Sequence, residues 1–181
     1  SELEELIKRA EDTIRRLERE IDELIERHRR SAERLRETLK ELIDRHRKSI
    51  EDVMRELKRR RGRVPDEVKR TLEKSKRDLD RLAEELEKTL KESEEELKRL
   101  KDRLKETLDK LREDLKELAK RGRTGKEEIE RLIKELEKKI KEVVKRIRDI
   151  DEDLKRKAKK VVDDLRELNE RLERKAKEAT K

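Results

Sequence analysis

The chain has 181 residues, 61% of them charged and 29% hydrophobic, with no Phe, Trp, Tyr or Cys. The lack of cysteine excludes disulfides and thiolate metal sites, and no apolar run approaches the ~20 residues that a membrane-spanning helix needs. The net charge of +8 is the small difference between 59 basic and 51 acidic residues. The two signs are interleaved, as where Glu94, Glu95 and Glu96 precede Lys98, Arg99 and Lys101. That mixing supplies i,i+4 pairs on a solvated helix surface and argues against the one-sided basic face of a nucleic-acid binder.

Low hydrophobicity with high charge is the composition of disorder, but here the few apolar residues recur at helical spacing, one stripe per segment. Only two places interrupt the pattern: KRRRGRVPDE, with Gly62 and Pro65, and KRGRTGKEE, with Gly122 and Gly125. Each Gly follows a basic run and can supply the left-handed residue that ends a helix. Pro65 suits a first helical position, where its missing N–H would be unpaired anyway. Ser1 with Glu4, and Thr124 with Glu127, fit capping boxes. Acidic residues follow each start and basic residues precede each stop, as the helix dipole favours.

These signals predict helices over 2–61, 65–121 and 125–179, joined by loops at 62–64 and 122–124, in a single bundle over 1–181. At about 55 residues, each helix would span roughly 80 Å. SELEELIKRA opens directly as a helix, so no signal peptide is expected, and no compartment is assigned. The runs Lys58–Arg63 and Lys120–Arg123 look like short localisation or polyanion-binding tracts, but their role in ending helices against the dipole accounts for them.

An 18-residue repeat runs through each predicted helix. The first reads ELIKRAEDTIRRLEREID (5–22), ELIERHRRSAERLRETLK (23–40) and ELIDRHRKSIEDVMRELK (41–58). The second reads TLEKSKRDLDRLAEELEK (71–88), TLKESEEELKRLKDRLKE (89–106) and TLDKLREDLKELAK (107–120). In the third, Ile129, Ile147 and Leu165 correspond, as do Leu136, Leu154 and Leu172. Eighteen residues make about five turns of an unstrained helix, so this period asks for almost no supercoil, unlike a repeat of seven or eleven. The expected fold is all-α: a straight, elongated antiparallel three-helix bundle, coiled-coil-like with near-zero supercoil. Short loops make sequential helices antiparallel.

The second helix places Val68, Leu72, Ser75, Leu79, Leu82 and Leu86 on one row. The first adds doublets such as Leu6-Ile7, Leu24-Ile25 and Leu42-Ile43, and the third adds Leu132-Ile133, Val143-Val144 and Val161-Val162. Stripes of this width bury two neighbours each. No helix carries a second apolar face, so a monomer that needs no partner is expected.

Polar residues break the stripes in a pattern. The repeat position of Ala10 becomes His28 and His46; that of Thr13 becomes Ser31 and Ser49; that of Leu111 is Ser93 and Ser75; that of Ile133 becomes Asp151 and Asn169. Equal heights on helices 1 and 3 differ by 123 positions, and equal heights on helices 1 and 2 have a constant sum of 121. Three layers follow: Ala10, Leu111 and Ile133; His28, Ser93 and Asp151; His46, Ser75 and Asn169. Ser31, Ser49, Thr89 and Thr71 lie one turn away and can join. A buried polar atom without a partner costs about 1–3 kcal/mol, so layers satisfied in only one register penalise every slipped packing.

Three other readings use the same residues. His28, Ser93 and Asp151 are the residue types of a serine-hydrolase triad, but mid-helix N–H groups are already used and no Gly-rich loop supplies an oxyanion hole. Each layer offers one imidazole and at most one carboxylate, short of the three or four ligands of a zinc site. Histidine titrates near neutrality, so protonation of His28 and His46 would make a pH-responsive module; His46, with only neutral candidates beside it, should respond to acid first.

The repeat, the caps, the Glu/Lys/Arg surface, the aromatic-free core and the matched polar layers together resemble a de novo designed, untwisted antiparallel three-helix bundle with buried hydrogen-bond networks, over the whole chain. The resemblance implies a structural scaffold without enzymatic activity, cofactor, metal, nucleic-acid or membrane partner. A pH-responsive module or a self-assembling building block is the alternative.

Overall fold

Long runs of Glu, Lys, Arg and Leu, all good helix formers, fold into α1 (Glu2–Arg61), α2 (Asp66–Lys120) and α3 (Gly125–Thr180). The structure is a computed structural model that describes residues 2–122 and 125–180. The caps expected at Ser1 and Thr124 lie outside the described residues. First turns are acidic, with Glu2, Glu4 and Glu5 in α1, Asp66 and Glu67 in α2, and Glu127 and Glu128 in α3; Lys58, Arg59, Arg60 and Arg61 close α1. Each placement opposes the helix-end dipole.

Gly62 ends α1 with φ 76°, and its N–H donates to the Lys58 carbonyl at 2.9 Å. That is the left-handed stop for which glycine is suited. Gly122, at φ 69°, follows α2 in the same way, after the Arg121 N–H tightens the last turn onto the Leu118 carbonyl at 3.1 Å. Pro65 lies one residue earlier in its helix than expected: it precedes α2, and its carbonyl accepts from the Lys69 N–H at 2.9 Å. Gly125 starts the third helix, as the expected span 125–179 has it, but does not take the helix-ending role. It is packed so closely on the end of α2 that a Cβ there would sit 2.5 Å from the Leu118 carbonyl oxygen.

The three helices pack into an all-α three-helix bundle, and the chain divides into two compact units, each holding a segment of every helix. Unit 1 comprises Ser1–Arg30 and Ser93–Glu152; unit 2 comprises Ser31–Glu92 and Asp153–Lys181. Ion pairs record the helix directions within each. In unit 1, Glu18 meets Arg112 at 2.7 Å and Asp22 meets Lys101 at 3.4 Å, so α2 runs against α1. Glu2 meets Lys126 at 3.0 Å, at the start of both α1 and α3. In unit 2, Arg36 meets Glu87 and Arg47 meets Asp80, each at 3.3 Å, again antiparallel.

The core of unit 1 is one cluster, with Ile14 and Ile21 of α1, Leu108 and Leu115 of α2, and Ile129 and Leu136 of α3 at its centre. Unit 2 has two. Ala32, Leu39, Leu86, Leu90, Leu154 and Leu165 belong to the larger; Ile50, Leu72 and Leu172 form the smaller, with Val53, Met54 and Val68 against them. The doublets of α1, such as Leu6-Ile7 and Leu42-Ile43, are half-buried at both positions, because each member turns to a different neighbour. Single-file positions such as Ile14 and Ile50 are fully enclosed. Among the described residues no large hydrophobic side chain is exposed.

The two glycine roles are separable. Gly125→Ala should destabilise the protein by about 1–3 kcal/mol, because the backbone carbonyl it meets cannot rotate away. Gly62→Ala should cost roughly 1–2 kcal/mol from left-handed strain alone, since a Cβ there meets nothing within 4 Å. Gly62→Asn should recover much of that loss, whereas Gly125→Asn should not; guanidinium unfolding of the four variants decides.

Candidate functional site

His28 and His46 occupy the same position of successive repeats, on the fully buried row of α1 that also holds Ala10, and each ring is 2% exposed. A buried imidazole must find partners for two ring nitrogens, one donor and one acceptor in the neutral form. The neighbouring helices supply them to different extents.

The first layer lies in unit 1. His28 Nδ1–H donates to Asp151 Oδ1 of α3 at 3.0 Å, and Nε2 pairs with Ser93 Oγ of α2 at 3.2 Å. With the ring neutral, the Ser93 hydroxyl donates to Nε2; with the ring charged, Nε2–H donates to the hydroxyl oxygen and the carboxylate faces the cation. Both protonation states are therefore satisfied without rearrangement. Ser93 is 8% exposed, and the Asp151 side chain is 26% exposed.

The second layer lies in unit 2. His46 Nδ1–H donates to Asn169 Oδ1 at 3.0 Å, at the same offset of 123 residues as in the first layer. The amide is oriented by its other end, because Asn169 Nδ2 donates to Glu173 Oε1 at 3.4 Å. His46 Nε2 is left over, and among the described residues it is the one buried side-chain polar atom without a hydrogen-bond partner. Ser75 is buried at 9% exposure but makes no bond to the ring. Burial pushes the His46 pKa below the usual histidine value, and the Asn169 hydrogen bond only partly opposes that shift.

The remaining candidates are placed differently from the expectation. Ser49 Oγ donates to the Arg45 carbonyl of its own helix at 3.0 Å instead of joining His46. Thr71 and Thr89 likewise bond the carbonyls of Glu67 and Glu85, at 3.1 and 2.9 Å. A hydroxyl four residues past a helical carbonyl finds that acceptor in its own turn, with no tertiary ordering required. Ser31 is half-buried in unit 2, whereas both His28 ring nitrogens are occupied within unit 1. One participant was missed: Glu173, which anchors the Asn169 amide. Its signal was its i,i+4 spacing from Asn169, which puts both on one helix face.

The order Ser93, His28, Asp151 is that of a hydrolase triad, with the hydroxyl on one ring nitrogen and the carboxylate on the other. Here the three groups face one another inside the bundle, and Ser93 lies mid-helix, where backbone N–H groups are committed to helix carbonyls. Among the described residues no group of three or more His, Asp or Glu is placed to hold a metal ion, and no helix is long and apolar enough to cross a membrane. Two open grooves of unit 1 are floored by core residues such as Leu17 and Leu108 and walled by both signs of charge, Arg16 with Glu20 and Asp22 with Lys101, so they favour neither sign of ligand. Comparison with protein-family models, with curated proteins and with solved structures finds no match.

The layers differ in what their serines do. Ser93→Ala strands His28 Nε2 and should cost about 1–3 kcal/mol. Ser75→Ala breaks no bond to His46 and should stay within about 0.5 kcal/mol. Guanidinium midpoints at pH 7.5 test this; equal losses would show that both serines serve their rings alike.

Proposed function

We propose that this chain is a de novo designed structural scaffold, built on the 18-residue repeat, in which the buried His, Ser, Asp and Asn side chains specify how the three helices align. The observation that carries this reading is the pair of histidine bonds to α3 at one common offset, His28 to Asp151 and His46 to Asn169. An aliphatic stripe of period 18 fits its neighbours almost equally well after a slip of one repeat. The polar layers do not: sliding α3 by 18 residues sets Asp151 against the height of Ala10 or His46 and leaves at least one buried polar group unpaired. Each such group costs about 1–3 kcal/mol, enough to select one register from several of similar apolar packing. In this reading the chain acts as a monomer, binds no cofactor and catalyses no reaction.

The apolar repeat of the same protein supplies the test. His28→Ala, Ser93→Leu and Asp151→Ile, combined with His46→Ala, Ser75→Leu and Asn169→Ile, give both layers the composition of Ala10, Leu111 and Ile133. Stability to guanidinium should hold or rise, as when buried polar groups are replaced by packed apolar ones. Spin-label distances between α1 and α3 should broaden into several populations, and light scattering should detect multimers. A single monomeric species with unchanged distances would sink the alignment role. For catalysis, Ser93 should react with a fluorophosphonate no faster than surface hydroxyls do, read by comparison with Ser93→Ala; rapid, Ser93-dependent labelling would overturn the scaffold reading.

A further inference from the structure

We propose that the His46 layer is an acid-operated latch: when its ring takes a proton, the end of unit 2 beyond it opens, while the His28 layer of unit 1 stays closed. This uses only the geometry of the two layers and does not depend on how the protein originated.

The first ground is the ring itself. His46 is 2% exposed, its Nδ1–H is held by Asn169 Oδ1, and its Nε2 has no partner. A second proton must go to Nε2, which creates a buried donor with no acceptor and a buried charge with no counter-ion. The groups that meet the ring's layer are neutral on both neighbours, Ser75 on α2 and Asn169 on α3. One turn along those helices stand two carboxylates. Asp78 lies 3.7 Å from Arg81, and Glu173 accepts from the Asn169 amide. On α1 the flanking Arg45 and Arg47 are exposed, and Arg47 is paired with Asp80. Burial and the Asn169 hydrogen bond are what act on the basicity of His46, and burial dominates.

The second ground is the core on either side. The layer falls where the apolar core of unit 2 divides: between Ile43 and Ile50 on α1, between Leu79 and Leu72 on α2, and between Leu168 and Leu172 on α3. Beyond it, among the described residues, the buried hydrophobics are Ile50, Leu57, Leu72 and Leu172, with Val53, Met54 and Val68 packed against the cluster of Ile50, Leu72 and Leu172. A segment with so small a core has a low free energy of opening. In contrast, His28 has a carboxylate at Nδ1 and a hydroxyl at Nε2, so protonation there leaves no ring nitrogen unsatisfied.

Linkage gives the sign. The pKa of His46 is lowered in the closed layer, whereas in the opened segment it returns to about 6.5. The open form therefore binds the proton more tightly. The stabilising contribution is complete above about pH 6.5, is lost as pH falls below it, and stops falling once the closed layer is itself protonated. The open population should rise by up to about tenfold between pH 7.5 and 5.5, a range in which ordinary carboxylates remain ionised.

Amide hydrogen exchange on the full chain, corrected for intrinsic rates, reads this directly. Protection over 50–61, 66–74 and 170–178 should fall by up to about tenfold from pH 7.5 to 5.5, while 5–28 and 95–118 hold theirs. His46→Gln, which cannot titrate, should abolish the difference. Asn169→Asp, which gives His46 the carboxylate that His28 already has but leaves Nε2 without a partner, should reduce it while keeping the ring. Equal loss in both units, pH-independent exchange of the parent chain, a persisting difference in His46→Gln, or an undiminished one in Asn169→Asp would overturn the latch.

Discussion

Everything in this protein depends on burying one narrow aliphatic stripe per helix. With 29% hydrophobic residues and no aromatic ones, there is no spare apolar surface to make a second core or to compensate for a missing neighbour. Each stripe must be covered from two sides, and three helices covering one another is the smallest closed solution. The single-file positions sit at the centre and the doublets straddle its edges, which explains why Ile14 is enclosed while Leu6 and Ile7 are only half-buried. Such packing is strong but undiscriminating: Leu against Leu is favourable at many alignments.

Discrimination must come from groups that tolerate few alignments, and a buried imidazole is one. It requires a donor and an acceptor in defined directions, whereas a leucine requires only contact. The two histidines occupy the same repeat position and differ in two partners: on α3 a carboxylate oxygen of Asp151 is replaced by the amide nitrogen of Asn169, and on α2 Ser93 bonds its ring while Ser75 does not. Those two differences decide what a proton does. Beside Asp151 the charged ring is matched; beside Asn169 it is not. The long-range surface pairs add little to either property, because exposed ion pairs contribute at most about 1 kcal/mol and often nothing.

Much of this was legible in the sequence because the information was periodic or steric. Gly62 and Gly122 marked helix ends because few other residues accept a positive φ, and constant offsets placed His28 level with Asp151 and His46 level with Asn169. The rest was not legible, for reasons that are local. Offsets give heights, not rotamers: Ser93 and Ser75 are the same residue at the same repeat position, yet one reaches its ring and the other does not. Ser49 and the threonines had a nearer acceptor in their own helix, a competition that the apolar pattern does not encode. Gly125 carried no periodic signal at all, since its role is a close approach between two helix ends.

Charge is distributed as unevenly as hydrogen-bonding capacity. Unit 1 contains 28 acidic and 28 basic residues, whereas unit 2 contains 23 and 31, so the whole excess of +8 resides in unit 2. Two pressures thus act on the same unit at different pH. Near pH 6 the uncompensated ring of His46 favours opening; toward pH 4 carboxylates protonate, and the self-repulsion of an already cationic unit grows. Unit 1 meets the first pressure with Asp151 and starts the second from neutrality. The ordering does not depend on salt in the same way for both: a buried, unpaired ring is screened poorly, whereas surface repulsion over more than about 10 Å is screened well at 0.1 M ionic strength. Added salt therefore separates the two effects, suppressing the low-pH repulsion in unit 2 and leaving the histidine-dependent opening in place.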